Sequence, residues 1–220
     1  MKPDMTTDLG FVRLKNPVMT ASGTFGSGEE YSEFLDISRL GAVVTKGVSD
    51  VPWDGNPSPR IAETPSGMLN AIGLENPGVD AFLKRDLPFL KKSGATVGVN
   101  VCGHTEDEYV EVVRKLTDEV IAFLEINISC PNVKAGALSF GTDPAEVEKI
   151  TKLIKKNTDK PVVMKLTPNV TDIKEIAKAA EAGGADGISM SSFTSGVAVA
   201  VKAPTTGRRG RDSTNAGIFR

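Results

Sequence analysis

The sequence predicts an α/β fold built on a parallel sheet. Three observations carry this. Short, continuously apolar runs recur along the chain, as expected of strands covered on both faces. Amphipathic helical segments lie between them, so strand and helix alternate. The helical segments begin and end at readable capping residues.

The first apolar run is at 17–20 (Pro-Val-Met-Thr), and the next is at 41–46 (Gly-Ala-Val-Val-Thr-Lys). Asn76-Pro77 is expected to start a helix carrying Val79, Phe82 and Leu83. A strand follows at 96–100. Thr105 with Glu108 then forms a capping box, and Tyr109, Val112, Val113 and Leu116 make one helical stripe. The run at 120–127 is the fourth strand. Asp143, Pro144 and Glu146 start a helix whose inner face is Val147, Ile150 and Ile154. The fifth strand is at 161–165. Thr171 or Asp172 caps the next helix, with Ile173, Ile176, Ala177 and Ala180 inward, and Gly183-Gly184 ends it. The sixth strand is at 185–190.

Both a doubly wound sheet and a (β/α)8 barrel satisfy this alternation. The chain lacks a Gly-x-Gly-x-x-Gly after its first strand, which disfavours a dinucleotide fold. About six βα units are countable, whereas a closed barrel has eight.

Composition narrows the function classes. A net charge of −2 gives no electrostatic case for nucleic acid or an anionic membrane. Aromatics at 5% argue against base stacking. With two cysteines and one histidine, neither a disulfide framework nor a metal site is expected. No apolar run reaches the ~18 residues of a membrane span, and the N-terminus lacks a signal-peptide core, so a cytoplasmic location is expected.

Polar residues cluster where the strands end. Lys46, Asn100, Asn127 and Lys165 each terminate an apolar run, Ser22 follows the first and Ser189 closes the sixth. In a parallel barrel these ends converge on one mouth, where catalytic residues sit. Amides supply donors and acceptors to a flat heterocycle, and lysine supplies positive charge for an anionic ligand. The competing reading is that each residue snorkels or caps the next helix. A long segment at 49–73 joins this rim, and so does one at 128–141 carrying Cys130. Both Cys102 and Cys130 follow strand ends, but Cys130 lies on a polar, proline-containing loop and is favoured as the nucleophile or base. His104 reads as a loop or helix-entry residue and Trp53 as loop packing.

Several strings are specific. Asn127-Ile-Ser-Cys-Pro-Asn132 resembles the active-site motif of class 1 dihydroorotate dehydrogenases. Asn56-Pro-Ser-Pro-Arg60, the stretch 63–78, and Lys165-Leu-Thr-Pro-Asn-Val-Thr-Asp172 resemble the NAD-linked branch of that family. Ala21-Ser-Gly-Thr-Phe-Gly26 and Thr45-Lys46-Gly47 match as well, and the resemblance runs to about Met190.

The resemblance implies a (β/α)8 TIM barrel with FMN at its C-terminal mouth. It implies FMN contacts from Ser22, Lys46, Gly47, Asn100, Asn127, Lys165 and Ser191. Dihydroorotate or orotate would be surrounded by Lys46, Asn70, Ala71, Ile72, Gly73, Leu74, Asn127, Asn132 and Ser192. Cys130 would be the catalytic base, taking the C5 proton while hydride passes from C6 to the flavin. Electrons would leave through a partner subunit carrying FAD and a 2Fe-2S cluster, with NAD as acceptor, around a homodimer core of a heterotetramer. No metal site is implied in this chain.

The sequence departs from the family at its end. Ser191-Ser192-Phe193 stands where the family has Ile-Asn-Thr, so Ser192 replaces a pyrimidine-binding amide. Periodicity is lost from Lys202 onward. The expectation is therefore a partial barrel over 1–201 and a divergent, disordered tail over 202–220, from a truncated or frame-shifted product or a degenerate homologue. The rival functions are an inactive fragment unable to hold FMN, a Schiff-base aldolase or lyase using Lys46 or Lys165, and an assembly module for the electron-transfer subunit.

Overall fold

A computed structural model describes residues 3–65, 67–117, 119–129 and 140–191. The chain opens with a short antiparallel hairpin, β1 (Thr7–Asp8) and β2 (Arg13–Leu14). The segment around Met19 then pairs in parallel with Ala42, next to β3 (Val43–Val44). A second hairpin, β4 (Ile61–Thr64) and β5 (Gly67–Asn70), occupies the long excursion after β3. A continuous helical run follows: α1 (Val79–Ala81), a π-turn (Phe82–Asp86) and α2 (Leu87–Ser93). From there strand and helix alternate: β6 (Val97–Val101), α3 (Glu106–Thr117), β7 (Phe123–Asn127), α4 (Pro144–Lys155), β8 (Val162–Leu166), α5 (Ile173–Ala182) and β9 (Gly187–Met190).

The central sheet has the order β3-β6-β7-β8-β9, and every pairing is parallel. Spatial order follows chain order without reversal. A doubly wound sheet reverses at a switch point, so that alternative is excluded. The sheet also curls. Lys165 on β8 donates to Ser22 Oγ at 3.0 Å, and Ser22 follows the Met19 strand four places away. In a flat sheet four strand spacings would separate them by roughly 19 Å. The described residues thus form a curled, open part of a (β/α) barrel, with six strand positions when Met19 is counted.

Alternation along the strands makes two apolar layers. Val97, Val99, Val101, Leu124, Ile126, Val162, Met164 and Leu166 point outward into the helices, meeting Val112, Val113 and Leu116 of α3 and Ile150 and Ile154 of α4. The opposite face begins with Phe123 and Val163, which pack with Leu14, Ala42 and Val44, while Phe11 and Val12 close over them. The β1–β2 hairpin therefore plugs the bottom of the curl. Its floor depends on Gly98, because a Cβ there would lie 2.3 Å from Phe123 Cζ. Above this floor the inward positions become polar: Asn100, Glu125, Asn127, Lys165 and Ser189.

The expected elements appear, with some corrections. The 76–77 helix start is displaced. Asn76 Oδ1 accepts from Gly78 N at 2.9 Å in a tight turn, and Gly78 (φ +80°) is the residue before α1. The π-turn lies just before Pro88, which has no N–H to continue the α ladder. In the expected capping box Thr105 Oγ1 accepts from Glu108 N at 3.2 Å, while Glu108 Oε2 accepts from His104 N at 2.6 Å instead of from the cap itself. Asp143 and Asp172 cap α4 and α5. The sixth strand is only partly covered: its outward residues Ile188 and Met190 are 45% and 64% exposed among the described residues. The expected boundary at 201 and the tail beyond it lie outside the described residues.

Phe82, fully buried in the helical run, joins α1–α2 to the outer core. Phe82→Ala is expected to destabilise the fold by about 3–5 kcal/mol. A urea transition would show it as a lowered midpoint with an unchanged slope.

Candidate functional site

The polar layer is set by strand register. Asn100 of β6 is opposite Glu125 of β7, Asn127 of β7 is opposite Lys165 of β8, and Lys165 is opposite Ser189 of β9. Parallel pairing puts all of these side chains on the inner face of the curl. Glu125 is the centre of the cluster. Its Oε1 accepts from Ser189 Oγ at 2.6 Å and its Oε2 accepts from Asn100 Nδ2 at 2.6 Å. Lys165 Nζ stands 3.6 Å from Oε2, with side chains only 12% and 7% exposed. Asn127 Nδ2 reaches Asn100 Oδ1 at 3.4 Å, and Asn127 Oδ1 accepts from Ser129 N (3.1 Å) and Ser129 Oγ (2.6 Å). Tyr109 of α3 donates to the Asn127 carbonyl at 2.7 Å and fixes the end of β7 from behind.

Gly47 lies against this cluster. A Cβ at 47 would come to 3.0 Å from Asn100 Oδ1 and 3.4 Å from Cys102 Sγ, so a side chain here would press on both. Lys46, half-buried beside it, has no carboxylate within ion-pair distance among the described residues. Its backbone N–H donates to Gly26 O at 2.8 Å, which ties the 21–26 loop to the rim.

The segment 70–74 approaches Gly47 as well. Leu74 Cδ2 is 3.8 Å from where a Gly47 Cβ would sit. This turn is held by many bonds: Ala71 N to Arg60 O (2.7 Å), Asn56 N to Ile72 O (3.0 Å), Asn56 Nδ2 to Ala71 O (2.9 Å) and Asn76 Nδ2 to Leu74 O (2.8 Å). Arg60 also pairs with Glu75. Gly73 (φ +77°) has Asn56 against the place a Cβ would take, and Leu74 itself sits at φ +54°, an uncommon region for a side-chain-bearing residue. Such strain is kept where the surroundings over-determine it. At the entrance Trp53 lies on His104, ring centroids 4.0 Å apart, so both loop residues pack together.

Ser22, Gly47, Asn100, Asn127, Lys165 and the 70–74 turn thus line or adjoin one space, with Lys46 at its edge. Ser191 follows β9 and donates its N–H to Leu166 O at 2.9 Å. Cys130, Asn132 and Ser192 lie outside the described residues. Cys102 is buried at 1% exposure behind Gly47, which suits a packing role. Glu125 was missed by sequence reasoning because it sits inside an apolar run. The signal was its spacing: two residues before Asn127, it must share that residue's face. A separate concavity of about 550 Å³ between the starts of α4 and α5, lined by Thr142, Pro144, Asn169 and Asp172, shares no residue with the polar layer.

The donor set fits a flavin. Two lysines can face its phosphate or electron-rich ring, two amides can meet the edge of a flat heterocycle, and Gly47 leaves room for close approach. Among the described residues there is no His/Cys/Asp/Glu grouping that could hold a metal, and no helix is long and apolar enough to cross a membrane.

Comparison with known proteins bears on the same residues. A family model described as dihydroorotate dehydrogenase matches residues 5–213. The chain is 59% identical over 198 residues to a protein of Alkaliphilus metalliredigens named dihydroorotate dehydrogenase B (NAD(+)), catalytic subunit, covering 90% of this chain and 66% of that one. It is 62% identical over 188 residues to the protein of the same name from Lachnoclostridium phytofermentans, covering 86% of this chain and 63% of that one. A Geobacter protein of that name is 50% identical over 199 residues, covering 90% and 65%. The chain therefore spans a little under two thirds of the length of these relatives.

Proposed function

The chain belongs to the dihydroorotate dehydrogenase family, and from that premise we propose that its polar layer is the flavin- and pyrimidine-facing wall of an FMN enzyme oxidising dihydroorotate to orotate in pyrimidine biosynthesis. The supporting observation is the convergence of Ser22, Asn100, Asn127 and Lys165 from four separate chain segments into one linked polar layer around Glu125.

In this reading Ser22, Lys46, Gly47, Asn100, Asn127, Lys165 and Ser191 hold FMN. Bound FMN supplies the two-electron acceptor for hydride leaving C6 of dihydroorotate. Lys165 places positive charge against the ring, where a preorganised cation stabilises developing negative charge. The over-determined 70–74 turn presents backbone groups to the pyrimidine, joined by Lys46, Asn127, Asn132 and Ser192. Cys130 takes the C5 proton as base. A thiol suits this task because its ordinary pKa of about 8.5 lies near working pH.

The relatives' names specify NAD(+) and a catalytic subunit. They support a separate electron-transfer subunit, which we assign FAD and a 2Fe-2S cluster, docked on a homodimer core in the cytoplasm.

Titrating FMN into the purified chain tests the reading. Saturable quenching of flavin fluorescence is expected, followed by a shift of the flavin absorption bands on adding orotate. A chain that leaves FMN fluorescence unchanged would be a fragment without the cofactor site. Borohydride-dependent trapping of a carbonyl compound on Lys46 or Lys165 would instead favour a Schiff-base enzyme.

A further inference from the structure

We infer that Glu125 is a positioning residue that fixes which way the Asn100 amide faces and how the Lys165 ammonium is held, and thereby shapes the donor pattern facing the ligand. The inference concerns a residue to which the proposed FMN site gives no contact, and its ligand-bound consequence rests on that reading.

The argument starts from what a carboxylate can do. Ionised, it only accepts hydrogen bonds. Glu125, 6% exposed, uses Oε1 for the Ser189 hydroxyl and Oε2 for Asn100 Nδ2, both at 2.6 Å. Asn100 must therefore turn its NH2 toward Glu125 and its Oδ1 away. That oxygen faces Asn127, whose Nδ2 lies 3.4 Å from it. Asn127 Oδ1 in turn accepts from Ser129, both from the backbone N–H, which can only donate, and from the hydroxyl. The two amides are thus ordered from both ends, Asn100 by the Glu125 carboxylate and Asn127 by the Ser129 N–H.

The same carboxylate holds Lys165 in a particular way. At 3.6 Å the ammonium is within ion-pair range but beyond a hydrogen bond. Among the described residues the hydrogen bond made by Lys165 Nζ is to Ser22, at 3.0 Å. Of its three protons, two are left to meet a ligand while Glu125 offsets its charge across the gap. A shorter contact would consume a donor, and a more distant one would leave a nearly buried cation uncompensated.

Glu125→Gln separates this role from simple packing. The substitution keeps the shape but removes the charge and replaces one acceptor by an NH2 donor, which meets Asn100 or Lys165 donor-to-donor or forces the Ser189 hydroxyl to turn and accept. In the ligand-free protein, the side-chain amide resonances of both Asn100 and Asn127 are expected to shift or broaden, although Asn127 does not touch Glu125. Ser22→Ala, which loses the Lys165 contact alone, is expected to leave both amide pairs in place. With FMN bound, removing the negative charge is expected to favour reduced over oxidised flavin by on the order of tenfold, a rise in midpoint potential of about 30 mV.

Asn100 and Asn127 resonances both unchanged in a folded Glu125→Gln protein would overturn the proposal. So would an unmoved flavin potential in a variant that still binds FMN. Failure of the unaltered protein to bind FMN would sink the flavin reading alone, because the amide resonances report on the ligand-free state. If Glu125→Gln does not fold, Glu125→Gln/Lys165→Met, which strands no charge, carries the amide measurement. Loss of folding there as well would make Glu125 a structural anchor and refute the positioning role.

Discussion

Lys165→Met is expected to lower stability by about 3–5 kcal/mol. Methionine keeps the length of the stem, so packing changes little. What changes is charge. The Glu125 carboxylate, 7% exposed, loses the only cation within 4 Å among the described residues, and burial leaves little water to replace it. Its remaining partners, Asn100 and Ser189, are neutral donors. Urea denaturation of the ligand-free protein measures the loss. Lys165→Met/Glu125→Gln is expected to recover most of it, since no unpaired charge is left behind. A loss below about 1 kcal/mol in the single variant would place the pair among solvent-screened ones and would undercut the view of this layer as a closed polar core.

Cys130→Ala is expected to cut the rate at which dihydroorotate bleaches bound FMN by about 10²–10⁴-fold, the usual contribution of a positioned general base. FMN binding itself is expected to persist, because none of the proposed FMN contacts is at 130. Position 130 lies outside the described residues, but the chain leading into it is anchored: Ser129 gives both its N–H and its hydroxyl to Asn127 Oδ1 in the polar layer. Cys130→Ser sharpens the test. A hydroxyl ionises far less readily than a thiol, so its residual rate should climb with pH where the cysteine enzyme has levelled off. Undiminished bleaching in the alanine variant would rule out the base role.

The fold was legible where physics acts locally. Outward residues such as Val97, Leu124 and Met164 are apolar because helices cover them, and Asp143 and Asp172 announce helix starts through bonds to Ala145 and Lys174 two residues on. The site was half legible: Lys165 and Asn127 stand at the ends of their apolar runs. Glu125 did not, because its meaning comes from neighbours on three other strands and not from its own run. The two hairpins escaped for a related reason. β1 and β2 are two residues each, too short for periodicity, and the exposed β4–β5 pair buries too little to leave an apolar pattern. The shift of the first helix start to Gly78 came from a side-chain turn at Asn76, where Asn-Pro also reads as a helix signal.

The ring of Phe123 occupies the volume that residue 98 gives up by being glycine. The two positions should therefore drift as a pair: kin with a bulkier side chain at 98 should carry a slimmer one at 123, with their combined size held steady. Exchanging bulk between them offers a handle on how far down a ligand can descend, adjusted from beneath without touching a group that does chemistry.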